Sequence, residues 1–339
     1  MDKPKKNARN QRDAFAHNQK ENMKKNSLGI PAVALGIATT SLVTFTPANV
    51  HSCACGCGIF DVGTASMFPT GAGGMAWLEY DYQNQNYNWS GNSAAPAGNN
   101  GDKQIETHFT NIGLQYLFNR SWGIEGELPV WNRTFQTDLN FGVGKPDVVS
   151  RNWTGIGDIR LKGIYTGFSE DLSSGLTFGL KLPTGSNSHA PDVVDSDTQI
   201  GSGSTDLLLG GFHRGNLAGP SWNWFAQVEL DVPVLTRNEY RPGIEADAAA
   251  GIYYEGVHWG RVKISPVAQV LGSWRGRDNG ANANPDDSGY ERVLLSPGIE
   301  FHLHPVKLYA DVEIPVYQKV NGNQLVAPAL FKITASYMF

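Results

Sequence analysis

The chain ends with the stretch Pro328-Ala-Leu-Phe-Lys-Ile-Thr-Ala-Ser-Tyr-Met-Phe339. Its residues alternate in character with a period of two, the pattern of a β-strand whose two faces meet different surroundings. One face carries Ala329, Phe331, Ile333, Ala335, Tyr337 and Phe339. The other face carries Lys332, Thr334 and Ser336. This stretch alone is compatible with the closing strand of a membrane β-barrel and with the edge strand of a soluble β-sandwich.

The composition favours one large all-β domain. The 339 residues include 39 Gly, 9 Trp, 12 Tyr and 15 Phe, which suits many short strands with tight turns and aromatic girdles. After the amino-terminal region, no run reaches the roughly 18 apolar residues of a membrane-spanning helix. The mean hydropathy of −0.31 does not argue against a membrane barrel, because lipid-facing and lumen-facing residues alternate and cancel in the average.

Twelve alternating segments follow one another from Met75 onward. They are predicted at 75–83, 107–118, 122–133, 157–168, 175–184, 205–213, 222–232, 243–254, 262–274, 292–302, 307–317 and 328–339. The gaps after odd strands are long and polar, and those after even strands are short. Outer-membrane barrels segregate long extracellular loops from short periplasmic turns in this way. We therefore predict a transmembrane antiparallel β-barrel of 12 strands over 75–339, in a Gram-negative outer membrane with both termini periplasmic.

The first 52 residues resemble an export signal. Met23-Lys-Lys-Asn precedes an apolar stretch over 27–45 with many small residues, as in a secretory signal peptide. Either Met23 is the true start or the basic region is unusually long, and cleavage is expected after Ala48 or Ser52; a membrane anchor is the alternative. Residues 1–52 carry eight Lys/Arg and three Asp/Glu, so residues 53–339 have a net charge of −10. This acidity argues against a nucleic-acid partner, whose phosphates require Lys and Arg.

All three cysteines, Cys53, Cys55 and Cys57, lie directly after this signal. A single C-x-C-x-C is too cramped for a structural zinc site, which uses separated pairs. A soft metal such as Cu(I) accepts two or three thiolates, and His302 and His304 could join them. A disulfide with one thiol left over and lipidation of Cys53 are the alternatives. No other cofactor is expected, and residues 53–74 are predicted to be a periplasmic lead-in or a plug.

Polar positions of the predicted strands give the lumen an acidic but mixed wall. Its candidate selectivity residues are Glu125, Glu127, Asp158, Arg160, Lys181, Glu229, Asp231, Glu245 and Asp247. Such a wall favours cations or neutral polar solutes over anions. Alternatively, these charges form a cross-strand ladder that fills a narrow barrel.

Four prolines recur near the outer ends of upward strands: Pro129, Pro183, Pro233 and Pro315. Proline cannot donate to a strand ladder, so it belongs at strand ends, edges or bulges. Strand termination before the loop is the first interpretation. A lateral gap toward the lipid is the second.

Several motifs point to a family. They are Trp122-Gly-Ile-Glu-Gly-Glu-Leu-Pro-Val130, Gly155-Ile-Gly-Asp-Ile-Arg-Leu-Lys162, Gly179-Leu-Lys-Leu-Pro-Thr-Gly185 and Gly201-Ser-Gly-Ser-Thr-Asp206. They resemble the outer-membrane proteins grouped as the MetA pathway of phenol degradation transporters, over about residues 120–335. The resemblance implies a channel or transporter for small solutes, including small aromatic or hydrophobic compounds. The closing strand resembles those whose terminal Phe, here Phe339, is read by the barrel-insertion machinery.

The function predicted from the sequence is thus an outer-membrane channel or transporter for small solutes. Its expected partners are outer-membrane lipid, lipopolysaccharide, the barrel-assembly machinery and the solute. The alternative is a metal-handling or redox-partner protein that presents the cysteine segment to a periplasmic partner. No Ser-His-acid order stands out, so an enzyme is not expected.

Overall fold

The computed structural model describes Phe68 and residues 72–339, and β-strands account for most of them. This part of the chain contains sixteen strands and three short 3-10 helices. The strands are β1 (Gly73–Gln85), β2 (Tyr87–Gly91), β3 (Ser93–Ala94), β4 (Asp102–Leu117), β5 (Trp122–Asp138), β6 (Val148–Ile156), β7 (Ile159–Tyr165), β8 (Ser174–Leu182), β9 (Thr205–Ala218), β10 (Trp222–Leu235), β11 (Glu245–Tyr254), β12 (Val257–Trp259), β13 (Val262–Arg275), β14 (Tyr290–Leu303), β15 (Val306–Val326) and β16 (Leu330–Met338).

Twelve of these strands close into an antiparallel barrel, which confirms the predicted fold class. Around the barrel they follow the order β1, β4, β5, β7, β8, β9, β10, β11, β13, β14, β15 and β16. β1 pairs with β16 from Met75↔Met338 to Gln83↔Leu330, and this pairing closes the barrel. No helix among the described residues is long and apolar enough to cross a membrane.

The apolar face of the barrel strands points outward. In β16, Phe331 and Ile333 are 46% and 55% exposed, whereas Lys332 and Thr334 on the other face are 4% and 1% exposed. Outward apolar residues recur around the barrel at Leu78, Ile112, Leu114, Ile124, Leu161, Leu176, Leu209, Val228, Ile252, Val270, Leu295 and Leu308. An apolar belt outside and a polar wall inside is the pattern of a barrel surrounded by lipid.

Several strands extend farther than the hydrophobic alternation predicts. β4 begins at Asp102 and β5 continues to Asp138, so the predicted loops 84–106 and 134–156 are wrong over much of their length. Outward polar residues occur there, as at Thr134 and Asn152, where the Asn152 amide donates to the Thr134 hydroxyl at 2.8 Å across β5 and β6. Backbone pairing therefore continues beyond the apolar belt, where side-chain character no longer indicates a strand.

The last predicted loop, 318–328, is also wrong. The sequence predicts a strand that ends at Tyr317, but β15 continues to Val326 and leaves three residues before β16. Its distal part pairs with β2 and contains a register shift between Val320 and Asn323. Gly322 adopts a φ of +61° within this shift, a conformation that glycine adopts readily. The Asn-Gly-Asn sequence is thus an irregularity inside a strand instead of a loop.

The fourth predicted strand, 157–168, is divided in two. β6 pairs with the distal part of β5, and β7 pairs with its proximal part. Opposite the division, the carbonyl of Pro129 accepts a hydrogen bond from the N–H of Gly157 at 2.9 Å. Within the described residues, β6 pairs with β5 alone. Asp158 therefore lies at a break in the barrel wall.

Candidate functional site: the barrel lumen

The cavities in the described part of the barrel include three that follow one another along the lumen. An outer cavity of about 900 Å³ is lined by the long connections 183–204, 236–244 and 276–289. A middle cavity of about 110 Å³ is lined mainly by side chains from β4, β5 and β7 to β10 and by the 183–204 loop. An inner cavity of about 510 Å³ lies near the short turns, beside the start of β1 and the end of β16. Two wide cavities thus lie at the two ends of the lumen, with a narrow cavity between them.

The outer cavity is acidic. Its lining includes Asp195, Asp197, Asp286 and Asp287 together with several Asn and Ser, and no Lys, Arg or His among the described residues that line it. An acidic wall attracts cations and repels anions. These aspartates belong to the loops and are not among the lumen residues predicted from the strands.

Arg133 fixes the 183–204 loop inside the barrel. This β5 residue is 1% exposed, and its guanidinium donates to the carbonyls of Thr198 at 2.7 Å and Gln199 at 3.1 Å. Its Nε donates to the Thr107 hydroxyl at 3.0 Å. A buried guanidinium requires acceptors, so Arg133 and the loop stabilise each other. The sequence analysis did not identify Arg133. It is the last residue of the predicted strand 122–133, and an arginine in that position usually lies in solvent.

Asp158 binds both ends of the same loop. One carboxylate oxygen accepts from the N–H of Gly185 at 2.9 Å, and the other accepts from the N–H and the hydroxyl of Ser202 at 2.7 and 2.6 Å. A methyl group on Gly185 would lie 2.6 Å from the Cα of Gly201, so the two loop ends approach each other as closely as glycine permits. Asp158 therefore anchors a loop, and its selectivity role stays a prediction.

Most of the other predicted lumen charges form one ion-pair network. The pairs are Arg160–Glu229 at 3.0 Å, Lys162–Glu125 at 3.0 Å, Lys162–Glu229 at 3.2 Å, Lys181–Asp206 at 2.5 Å and Lys181–Asp231 at 2.7 Å, and the pair Arg160–Asp231 at 3.8 Å joins the two groups. No side chain in these pairs is more than 15% exposed. The network crosses β5 and β7 to β10, and this geometry favours the ladder interpretation for this side of the lumen.

The remaining predicted lumen residues lie on the same side of the barrel. Glu127 and Glu245 line the middle cavity, and Glu245 accepts a hydrogen bond from the Tyr290 hydroxyl at 2.5 Å. Asp247 is 8% exposed and lies opposite Glu229 in the pairing of β10 with β11. The structure thus brings all nine predicted residues to one half of the wall.

A layer of apolar side chains lies between the middle and inner cavities. This apolar layer consists of Phe68, Phe109, Phe225, Ala249, Val267, Leu271, Leu294, Tyr309, Ala327 and Leu330, with Trp131, Phe212 and Tyr253 packed against it. Phe109 and Trp131 line the middle cavity, and Phe68 and Val267 line the inner cavity. The sequence analysis missed the layer because it expected polar residues at inward positions. An aromatic residue at an inward position, such as Phe109, was the available signal.

The inner cavity has a wall of mixed charge. Its charged and histidine residues are Arg214, Glu255, Lys263, Glu300, His302, His304 and Lys307. Lys263 donates to Glu255 at 2.7 Å, and the rings of His302 and His304 lie 6.4 Å apart. Among the described residues, no group of three or more His, Cys, Asp or Glu is arranged to hold a metal ion.

The cysteine segment lies outside the described residues. This applies to Cys53, Cys55 and Cys57, to the predicted signal peptide over 1–52, and to the predicted lead-in apart from Phe68 and residues 72–74. Metal binding, a disulfide and lipidation at these cysteines stay predictions.

The four prolines mark irregular points of the strands. Pro183 directly follows β8, and Pro129 lies opposite the division between β6 and β7. Pro233 lies at a register shift between β9 and β10, and Pro315 lies at one between β14 and β15. Three of the strands continue beyond their proline, so termination fits Pro183 alone. Proline is tolerated at such interruptions because a hydrogen bond of the ladder is already missing.

Several solved structures are similar to this barrel in fold. The COG4313 outer membrane channel from Pseudomonas putida F1 matches with a TM-score of 0.60 and 11% identity, over 82% of this chain and 100% of that chain. At this identity the likeness shows the fold alone. Two further structures match with TM-scores below 0.5, too low to support the same fold. The β-domain of the Bordetella autotransporter BrkA has a TM-score of 0.48 and 13% identity, over 79% of this chain and 100% of that chain. The CymD monoaromatic hydrocarbon channel has a TM-score of 0.40 and 10% identity, over 79% of this chain and 89% of that chain. No protein-family model and no curated protein matches the sequence.

Proposed function

We propose that this protein is an outer-membrane channel for small solutes and that it prefers apolar and aromatic ones. The apolar layer between the two wide cavities is the observation that carries this proposal. Any solute that crosses the barrel through the lumen has to pass this layer. The chemistry of the layer therefore selects the solute.

The outward apolar belt supports the location in a membrane. Lipid is the surrounding that stabilises such a belt, and the long connections then lie outside the cell with the short turns in the periplasm. The outer cavity opens toward the exterior in this orientation, and both chain ends of the barrel are periplasmic. The exposure of Phe339, which is 60%, supports the proposal that the assembly machinery reads this closing strand, and the partners proposed for the belt are lipid and lipopolysaccharide.

The apolar layer disfavours charged solutes. An ion that enters a mostly apolar layer loses hydration at a cost of several kcal/mol, and the Tyr309 hydroxyl in this layer already donates to Asp311 at 2.7 Å. A neutral aromatic molecule loses little hydration there and gains dispersion contacts with Phe109, Phe225 and Leu294. The charges of the ion-pair network do not remove this barrier, because they are paired with one another. Transport through such a layer requires no catalytic group.

A matched pair of substitutions in β14 tests the proposal. Leu294 is 0% exposed within the layer, whereas its neighbour Leu295 is 45% exposed on the outer face. We expect Leu294→Gln to slow the uptake of radiolabelled toluene several-fold in Gram-negative cells that express the full chain, and Leu295→Gln to leave it unchanged. Equal uptake by both variants, at equal amounts of folded barrel, would contradict the proposal.

A further inference from the structure

The side chain of Phe68 occupies a slot between two aromatic rings of the barrel wall. Its ring stacks on Phe212 with centroids 4.9 Å apart and planes inclined by 18°. It meets Phe225 at 5.7 Å with the planes at 64°. Phe68 is 6% exposed, so the wall encloses its benzyl group as a binding site encloses a small aromatic ligand.

The barrel strands build this aromatic slot, formed by Phe212 and Phe225, independently of Phe68. The ring of Phe225 lies against Gly251 of the adjacent strand, where a methyl group would come within 2.6 Å of it. The ring of Phe212 lies in the same way against Gly175, where a methyl group would overlap it. Both rings are thus positioned by barrel strands and by glycines that leave room for them. These contacts of the two rings with the barrel strands do not involve Phe68.

Phe68 is attached to the barrel by a short tether. Four residues lie between it and Gly73, where β1 begins, and a stretch of this length spans at most about 18 Å. A short tether gives the benzyl group an effective concentration on the order of millimolar at the slot. A free solute reaches the slot through the inner cavity, which Phe68 lines together with Arg214 and Tyr253.

We infer that the slot between Phe212 and Phe225 is a binding site for a monocyclic, apolar aromatic solute, and that Phe68 occupies it as a tethered competitor. The two-ring geometry selects a flat ring, and the benzyl side chain already in place has the size of toluene. This inference rests on the proposed function and adds to it a specific site and a self-inhibiting contact. A solute that passes the apolar layer displaces Phe68 and takes its place.

Direct binding of fluorobenzene to the purified full chain in detergent tests this inference. We expect Phe68→Ala to show saturable binding by ¹⁹F NMR, at least tenfold tighter than that of the unmodified protein, because the competitor is gone. Phe331→Ala is the matched control, since it removes the same group from the outer face, where Phe331 is 46% exposed. It should bind like the unmodified protein, after the non-saturable partitioning of fluorobenzene into protein-free detergent has been subtracted from all samples.

Two further measurements keep the inference falsifiable. Fluorobenzene should raise the unfolding temperature of Phe68→Ala but not of Phe331→Ala, because a ligand of the folded state stabilises it. If Phe68→Ala does not fold, Phe68→Leu keeps the apolar volume without the ring and should still bind more tightly than the unmodified protein. A folded Phe68 variant that binds fluorobenzene no more tightly than the unmodified protein would overturn the inference.

The outcome also separates this inference from the proposed function. Saturable binding to Phe68→Ala without any toluene uptake by cells would support the site and contradict the transport role. Toluene uptake that depends on Leu294, without saturable binding to Phe68→Ala, would support the transport role and overturn the site.

Discussion

Asp158 and Ser202 are joined by two hydrogen bonds across 44 residues of sequence, from the Ser202 N–H at 2.7 Å and from its hydroxyl at 2.6 Å. One carboxylate oxygen of Asp158 accepts both hydrogen bonds, and the other accepts one from the N–H of Gly185. The 183–204 loop is thus fixed at its two ends by a single side chain at a break in the barrel wall.

Asp158→Asn is expected to loosen this loop. The amide keeps the shape of the carboxylate but offers one acceptor oxygen in place of two, and its NH₂ group would face donors. Hydrogen bonds to charged groups contribute about 1.5–3 kcal/mol each, so the rate of proteolytic cleavage within 183–204 should rise at least tenfold. Asp171→Asn is the control, because Asp171 accepts from Ser173 in an exposed turn. Equal cleavage rates in the two variants would contradict the anchoring role of Asp158.

Lys162→Met is expected to destabilise the barrel strongly. Lys162 is 5% exposed and binds Glu125 and Glu229 at 3.0 and 3.2 Å, so its loss leaves buried carboxylate charge. Breaking a buried pair in this way costs about 3–5 kcal/mol. Urea unfolding of the protein in lipid vesicles measures the change in free energy.

Lys319→Met is the matched control for the ion-pair network. Lys319 binds Glu291 at 3.1 Å, and both side chains are nearly half exposed. Exposed pairs contribute about 0–1 kcal/mol, so the control should unfold at nearly the same urea concentration as the unmodified protein. If Lys162→Met and Lys319→Met lose similar amounts of unfolding free energy, the prediction that Lys162 is the more important of the two lysines for stability is contradicted.

Ile333→Arg is expected to reduce the free energy of unfolding from lipid vesicles. Ile333 lies on the outer face of β16 and is 55% exposed, and a charge on the lipid face of a barrel costs about 2–4 kcal/mol at the bilayer midplane. Val143→Arg changes a residue that is 62% exposed in the connection between β5 and β6, so it should have almost no effect. If the two variants lose equal stability, the outer belt does not face lipid.

The sequence predicted the barrel well because alternation inside an apolar belt is a strong signal. β16 and β10 were recognised from their side chains alone. The same signal ends where the belt ends, so the distal parts of β4, β5 and β15 were predicted to be loops. Their outward residues are polar, and backbone pairing without an apolar face leaves no periodicity in the sequence.

The lumen was predicted less completely. The acidic and basic residues were placed on the correct side of the strands, but which of them pair, as Arg160 does with Glu229, depends on contacts between distant strands. The motifs around Asp158, Gly185 and Ser202 were recognised as turns, although their meeting point exists only in the folded chain. The apolar layer was missed because an inward Phe breaks the rule by which the strands were recognised.

One measurement tests the central claim most directly: the swelling rate of liposomes that contain the full chain, in phenyl β-glucoside and in methyl β-glucoside. The two neutral solutes share the glucosyl group. The first carries a phenyl group where the second carries a methyl group. A lumen crossed by an apolar layer should pass the phenyl compound faster although it is larger. Faster passage of the methyl compound would contradict the account, because a water-filled pore that sorts solutes by size gives that order.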